Sequence, residues 1–275
     1  MDMKKIITCA ALLAGIVFFN GRLNAQVESD IVGYTTVTIK PGYNMVAVNF
    51  DNLGEDASIS IQDLFPGSEG GVYTAGPGAA KADKIMVWNT TVGEYTTYFL
   101  YKASRGTSDR DYKWVDAANL SVISNKTFAS GDSFWYYSRA TADFDVTIKG
   151  LVATEDKQEI GIAPGYNMIG SCFPANFNPN TFDAATWQAS DAVAGPGAAK
   201  ADKIMVWDAA KGEYTTYFLY KASRGTSDRD YQWVDAASIG EAVNATADVM
   251  PAAKGAWYFH RGNGFTITID SPIAE

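Results

Sequence analysis

The stretch GPGAAKADKIMVWNTTVGEYTTYFLYKASRGTSDRDYKWVDAA, Gly76 to Ala118, returns at Gly195 to Ala237 with only five differences over its 43 positions. A near-identical segment of this length marks a tandem duplication, so one unit has to account for both halves of the chain. Within it Tyr95, Thr97, Phe99 and Tyr101 fall on one side of an extended chain, and Thr96, Tyr98, Leu100 and Lys102 on the other. Period two means half-buried β-strands. Trp88 and Glu94 flank Asn89-Thr90-Thr91-Val92-Gly93, and Trp207 and Glu213 flank Asp208-Ala209-Ala210-Lys211-Gly212. Each reads as a five-residue hairpin loop, opened by Asn or Asp and closed by a Gly that supplies positive φ. Four of the five differences lie in this loop, where a solvent-facing tip tolerates change.

Working outward, Pro41-Gly42-Tyr43-Asn44-Met45 reappears as Pro164-Gly165-Tyr166-Asn167-Met168, and Phe134-Trp135-Tyr136-Tyr137 as Ala256-Trp257-Tyr258-Phe259. Alternating strands at Phe144 to Ile148 and Phe265 to Ile269 close the two units. Two-turn helices are expected at Ser58 to Phe65 and at Thr181 to Gln188, the second capped by Asn180 or Thr181. The fold class is all-β: two tandem antiparallel β-sandwich or partly open barrel domains of six to eight strands, each with one short helix. The boundaries fall at 26–152 and 153–275, joined near Gly150 to Lys157 by a short polar connection.

Residues 1–25 read as a secretory signal peptide. Lys4 and Lys5 precede an apolar run from Ile6 to Phe19, and Leu23-Asn24-Ala25 offers a cleavage site before Gln26. That run is too short to span a bilayer, which takes ~20 residues, and no longer apolar stretch follows. Cys9 stands inside the run, the wrong place for lipid attachment at a cleavage site. Secretion or display at the cell surface is expected. Net charge is −9 for the whole chain and −11 once three cations and one anion leave with the leader. An acidic chain with scattered Lys and Arg lacks the cationic stripe that nucleic acid requires. Cys172 alone remains, so no internal disulfide forms, and a small buried apolar residue is its simplest reading.

The order PGYNM, short helix, ADKI.VWD, Gly-tipped hairpin, EYTTY, Trp, G..FWYY and VTIKG resembles a domain of uncharacterised secreted bacterial proteins. Its strands typically read like PGWNL, GD.I..WD, GFW and TVTL.G. The resemblance covers nearly all of the chain after residue 25, in two copies. It implies an exported all-β domain and carries no catalytic residues to transfer. The chain departs from the pattern at Tyr43 and Tyr166, where Trp is usual, and at Lys-Ala-Asp-Lys, where Gly-Asp is usual.

The residues themselves bear on three kinds of chemistry. His260 is the only histidine, so a zinc site lacks ligands and no nucleophile motif accompanies it. Gly76-Pro77-Gly78-Ala79-Ala80-Lys81 has the wrong spacing for a phosphate cradle and reads as a turn. Asp109, Asp111, Asp228 and Asp230 are acidic enough for calcium or a glycosidase carboxylate pair, but their charge alternation with Arg favours a self-contained loop.

Aromatic residues are the remaining candidates. Tyr98, Tyr101 and Trp114, with Tyr217, Tyr220 and Trp233, are expected either to fill the core or to form a row that stacks on sugars or docks a protein. The leading expectation is an exported, non-enzymatic structural or interaction protein of the cell surface or matrix. Duplication would repeat its contact surface, and the strand from Glu28 to Ile39 would be free to pair between molecules. A carbohydrate-binding module is the alternative, and a glycoside-processing enzyme stands third.

Overall fold

The computed structural model describes residues 31–54 and 57–272. The expected signal peptide and the start of the strand placed at Glu28 lie outside the described residues.

In the first half a six-stranded antiparallel sheet runs in the order β2 (Gly42–Ala47), β9 (Ser133–Ser138), β4 (Lys84–Asn89), β5 (Glu94–Leu100), β6 (Trp114–Asp116), β7 (Asn119–Ile123). A ribbon of β1 (Val32–Ile39) and β10 (Phe144–Leu151) covers one of its faces, and β3 (Ile59–Ser60) pairs with β8 (Thr127–Phe128). The second half repeats the plan. Its sheet runs β12 (Gly165–Gly170), β17 (Gly255–His260), β13 (Lys203–Asp208), β14 (Glu213–Leu219), β15 (Trp233–Asp235), β16 (Ser238–Ala242), under a ribbon of β11 (Lys157–Ile162) and β18 (Phe265–Asp270). Both halves are therefore antiparallel sandwiches. Residues 152–156 join β10 to β11.

Side-chain alternation decides what each face meets. Val46, Ile85, Leu100, Trp114, Phe134 and Tyr136 point into a core completed by Val37, Ile39, Val146 and Ile148 of the ribbon. Ile169, Ile204, Leu219, Trp233 and Tyr258 do the same beneath Ile160, Ile162 and Ile267. The PGYN motif is a corner between ribbon and sheet. Gly42 and Gly165 take φ of +87° and +85°, while buried Asn44 accepts from the Lys40 N–H and donates to the Lys40 and Gly42 carbonyls. Asn167 repeats this on Ala163 and Gly165.

The hairpins form where expected, with Asn89 pairing Glu94 so that the loop proper is Thr90 to Gly93. Asn89 Oδ1 accepts from the Thr91 and Val92 amides, and Gly93 has a φ of +70°. The helices are shorter than expected. α1 (Ile61–Leu64) is capped by Ser60, whose hydroxyl accepts from the Asp63 amide. α2 (Ala184–Ala189) is capped by Asp183, rather than Asn180 or Thr181, because Pro179 to Thr181 coils into a separate 3-10 turn capped by Asn178. Among the described residues no helix is long and apolar enough to cross a membrane.

The strand that was expected to be free for a neighbour is paired at home. Val32 to Ile39 register antiparallel with Leu151 to Phe144. The other edge of β1 has no strand partner among the described residues.

Candidate functional site

The opposite face of each six-stranded sheet does not meet solvent alone. In both halves it carries a Met and Trp array, and the two arrays pack against one another: Met45, Met86, Trp88 and Trp135 meet Met168, Met205, Trp207 and Trp257. The contacts are reciprocal. Trp88 Nε1 donates to the Tyr166 carbonyl at 2.8 Å, and Trp207 Nε1 donates to the Tyr43 carbonyl at 2.8 Å. Trp88 stands edge-on to Trp257 with centroids 5.5 Å apart, and Trp135 meets Trp207 at 5.5 Å. Tyr95 reaches Trp257 at 6.5 Å and Tyr214 reaches Trp135 at 6.4 Å. Two backbone bonds complete the pattern: Ala47 N–H to Ala253 O at 2.9 Å, and Gly170 N–H to Gly131 O at 3.0 Å. This is the isologous geometry of a two-fold homodimer, carried out inside one chain. Edge-to-face rings add roughly 0.5–1.5 kcal/mol per pair beyond burial.

The seam leaves an open groove. It is lined by Tyr43, Met86, Tyr95, Trp135, Trp207 and Tyr214 and encloses about 330 Å³. Its three tyrosines, Tyr43, Tyr95 and Tyr214, are 44%, 43% and 41% exposed, and Tyr166, on the seam outside that lining, is 43% exposed. Burial pushes the Tyr95 and Tyr214 phenols above their ordinary range, so both carry hydroxyl donors at neutral pH.

The residues singled out from sequence fall elsewhere. Trp114 and Trp233 are 0% exposed, so neither offers a face for stacking. Their side chains point from the six-stranded sheets toward the ribbons, where the indoles fill the cores; Trp114 Nε1 donates to the Phe65 carbonyl at 2.7 Å. Tyr98 and Tyr217 pack half-buried against those same cores. Tyr101 and Tyr220 are capped by guanidinium groups, Arg110 at 4.7 Å and Arg229 at 4.5 Å, which also donate to the Leu120 and Ile239 carbonyls. These six do not form a row.

The acidic loop is self-contained. Asp111 accepts from the Ala103 and Ser108 amides, and Asp230 from Ala222 and Ser227. Those amides, the Ala103 N–H foremost, hold the Asp111 carboxyl below its ordinary value. Asp109 projects into solvent beside Arg110, and both Asp109 and Asp228 accept from the neighbouring serine hydroxyl. Among the described residues no group of three or more His, Cys, Asp or Glu side chains gathers around a common point. Tyr112 and Tyr231, at the end of this loop, sit at φ of 62° and 63°, a left-handed conformation that bulky residues seldom adopt.

His260 is buried at 1% exposure. Its Nδ1 lies 2.7 Å from Asp202 Oδ2, and its Nε2 accepts from the Gly264 amide, which puts the Nδ1 proton toward Asp202. Tyr258 and the Arg261 amide also donate to Asp202. This is a packed, buried network. Cys172 is buried at the seam, where burial pushes its thiol up to about 11, so it stays protonated and unreactive.

No family model, curated protein or solved structure matches this chain. The sequence pattern places Trp88 beside the hairpin loop and Tyr95 on the strand after it, and neither stands among the expected site residues. The signal that marks the seam is that six of its aromatic and Met positions are identical in type between repeats: Tyr43/Tyr166, Met45/Met168, Met86/Met205, Trp88/Trp207, Tyr95/Tyr214 and Trp135/Trp257.

Proposed function

We propose that the protein is an exported, non-catalytic interaction protein of the cell surface or matrix, and that its binding surface is the tyrosine-rimmed groove of the seam, suited to the pyranose rings of a polysaccharide. The observation that supports this reading is the groove itself, an open trough whose aromatic walls are held by the reciprocal indole-to-carbonyl bonds. Sugars present a flat C–H face that stacks on aromatic rings while their hydroxyls meet phenols at the rim. Rings fixed before binding lose little rotamer freedom on contact. Duplication on this reading builds one composite surface, where two separate sites for avidity had been expected. Affinity electrophoresis of the residues following the leader in polysaccharide gels tests it. Retardation that disappears in Tyr95→Ala/Tyr214→Ala supports the groove, and retardation that survives the pair refutes it.

A second reading, self-assembly, draws on one observation. The edge of β1 that has no strand partner among the described residues exposes Tyr34 at 75% and Val32 at 63%. Long exposed edges recruit strands from other molecules. Sedimentation that remains monomeric at high concentration excludes this reading.

A further inference from the structure

The seam face continues past the groove, and its ends differ from its middle. In the first half Tyr43 packs against Tyr137 at 4.7 Å, and two cations lie on the Tyr137 ring, Lys84 Nζ at 4.9 Å and the Arg139 guanidinium at 4.8 Å. In the second half Tyr166 packs against Phe259 at 4.6 Å, with Lys203 at 5.2 Å and Arg261 at 4.9 Å. The middle is bridged by indoles, since Trp135 touches Tyr43 at 5.7 Å and Tyr214 at 6.4 Å, and Trp257 touches Tyr166 at 5.6 Å and Tyr95 at 6.5 Å. A line of rings thus runs across the pseudo-two-fold and ends in a pair of like charges on each side.

Among the described residues none of these four cations forms an ion pair, and the carboxylate that Arg139 interacts with, Asp83, is itself buried. The ion pairs there engage Lys40, Arg110, Lys157, Lys211 and His260. The nearby buried carboxylates Asp83 and Asp202 accept the backbone amides of Arg139 and Arg261, while the Arg261 guanidinium turns to the Ala201 carbonyl. Burial and then repulsion from Arg139 depress the Lys84 ammonium below its ordinary value. Two like-charged pairs at equivalent places thus offer an external anion a site at each end of the seam.

Resting on the groove reading above, we infer that the ligand is an acidic polysaccharide, with sugar rings on the central tyrosines and carboxylates on the Lys84/Arg139 and Lys203/Arg261 pairs. A planar carboxylate suits a guanidinium fork, and the pairs at both ends favour a polymer long enough to cross the seam.

The test compares polygalacturonate with the same polymer fully methyl-esterified, using the full exported chain and reading affinity by titration calorimetry. Polygalacturonate is expected to bind at least about tenfold more tightly than the ester, and to weaken as salt rises. The quadruple variant Lys84→Gln/Arg139→Gln/Lys203→Gln/Arg261→Gln should abolish that preference while binding the ester as the parent does, and Tyr95→Ala/Tyr214→Ala should weaken both polymers. Equal affinity for acid and ester overturns the acidic ligand and leaves the groove standing. An acid preference untouched by the quadruple variant, with its melting curve unchanged, also overturns the inference. If neither polymer binds but a neutral glucan does, only the charge assignment fails; binding of all three that ignores the tyrosine pair removes the groove as well.

Discussion

The two halves solve one burial problem in different ways. In the first, Asp83 is fully buried beneath the sheet and satisfied by the Tyr136 hydroxyl at 2.8 Å and by the Thr74 and Arg139 amides, with Ser138 at the next inward position of β9. In the second, the equivalent Asp202 keeps the tyrosine and both amides and gains an imidazole, because His260 replaces Ser138. The seam differs in a similar way. Gly170 stands opposite Ala47 and Gly255 opposite Ser133, where a Cβ on either glycine would come within 2.3 Å of Ala47 Cβ and 1.8 Å of Ser133 Oγ. Aligned by the repeat, Ala47 is the counterpart of Gly170 and Ser133 of Gly255. Each large residue of the first half therefore faces a small one of the second. The outer seam remains identical while its centre has become complementary, so first-half to first-half pairing would set Ala47 on Ala47 and Ser133 on Ser133.

Exchanging residues between the halves tests this directly, and the largest effect belongs to the seam centre. Gly255→Ser should cost about 3 kcal/mol in chemical denaturation through overpacking. Ser133→Gly on the same chain should recover most of it; no recovery would mean that the size match is incidental. His260→Ser, which gives the second half the residue of the first, should cost roughly 2 kcal/mol, since Asp202 loses a hydrogen-bond partner while three others remain. A neutral result would mark the imidazole as filler.

A smaller contrast concerns the core indoles. Trp114 Nε1 is paired, but Trp233 Nε1 is buried without a partner. Trp114→Phe should therefore be more destabilising than Trp233→Phe by about 1 kcal/mol, and reversal of that order in paired melts would contradict the assignment. The smallest effect is a pH dependence. Burial holds the Asp83 carboxyl above its ordinary value of 3.8, outweighing the hydrogen bonds that pull it down. Protonation is thus favoured in the folded state. Its stabilising contribution is complete below 3.8 and fades as pH rises through the raised value. Relative to Asp83→Asn, the parent should gain stability on acidification through that window, and a loss would reverse the sign.

The fold was legible because its determinants are local. Alternation along Tyr95 to Lys102, the Gly93 tip and the PGYN corner each dictate backbone shape over a few residues. Helix ends were harder: Asp183 caps α2 because Pro179 starts a 3-10 turn just before it, a competition between neighbouring segments that residue preferences alone do not rank. The site was misplaced for a different reason. Both faces of β5 carry aromatics, and period two separates them without saying which face meets the ribbon and which meets the other half. Tyr98 and Trp114 went to the first, Tyr95 and Trp88 to the second. That choice depends on how the two sheets dock, and the matching Trp and Met positions in both repeats were its only trace in the chain.

The reciprocal docking of Trp88 and Trp207 has a consequence for how such chains can lengthen. A solenoid unit has two different faces and can always accept another neighbour, whereas this unit docks through one Met and Trp face, most of which its twin covers. Adding a single further copy would strand an oily surface in water. Growth of this architecture is accordingly restricted to even numbers, two units at a time.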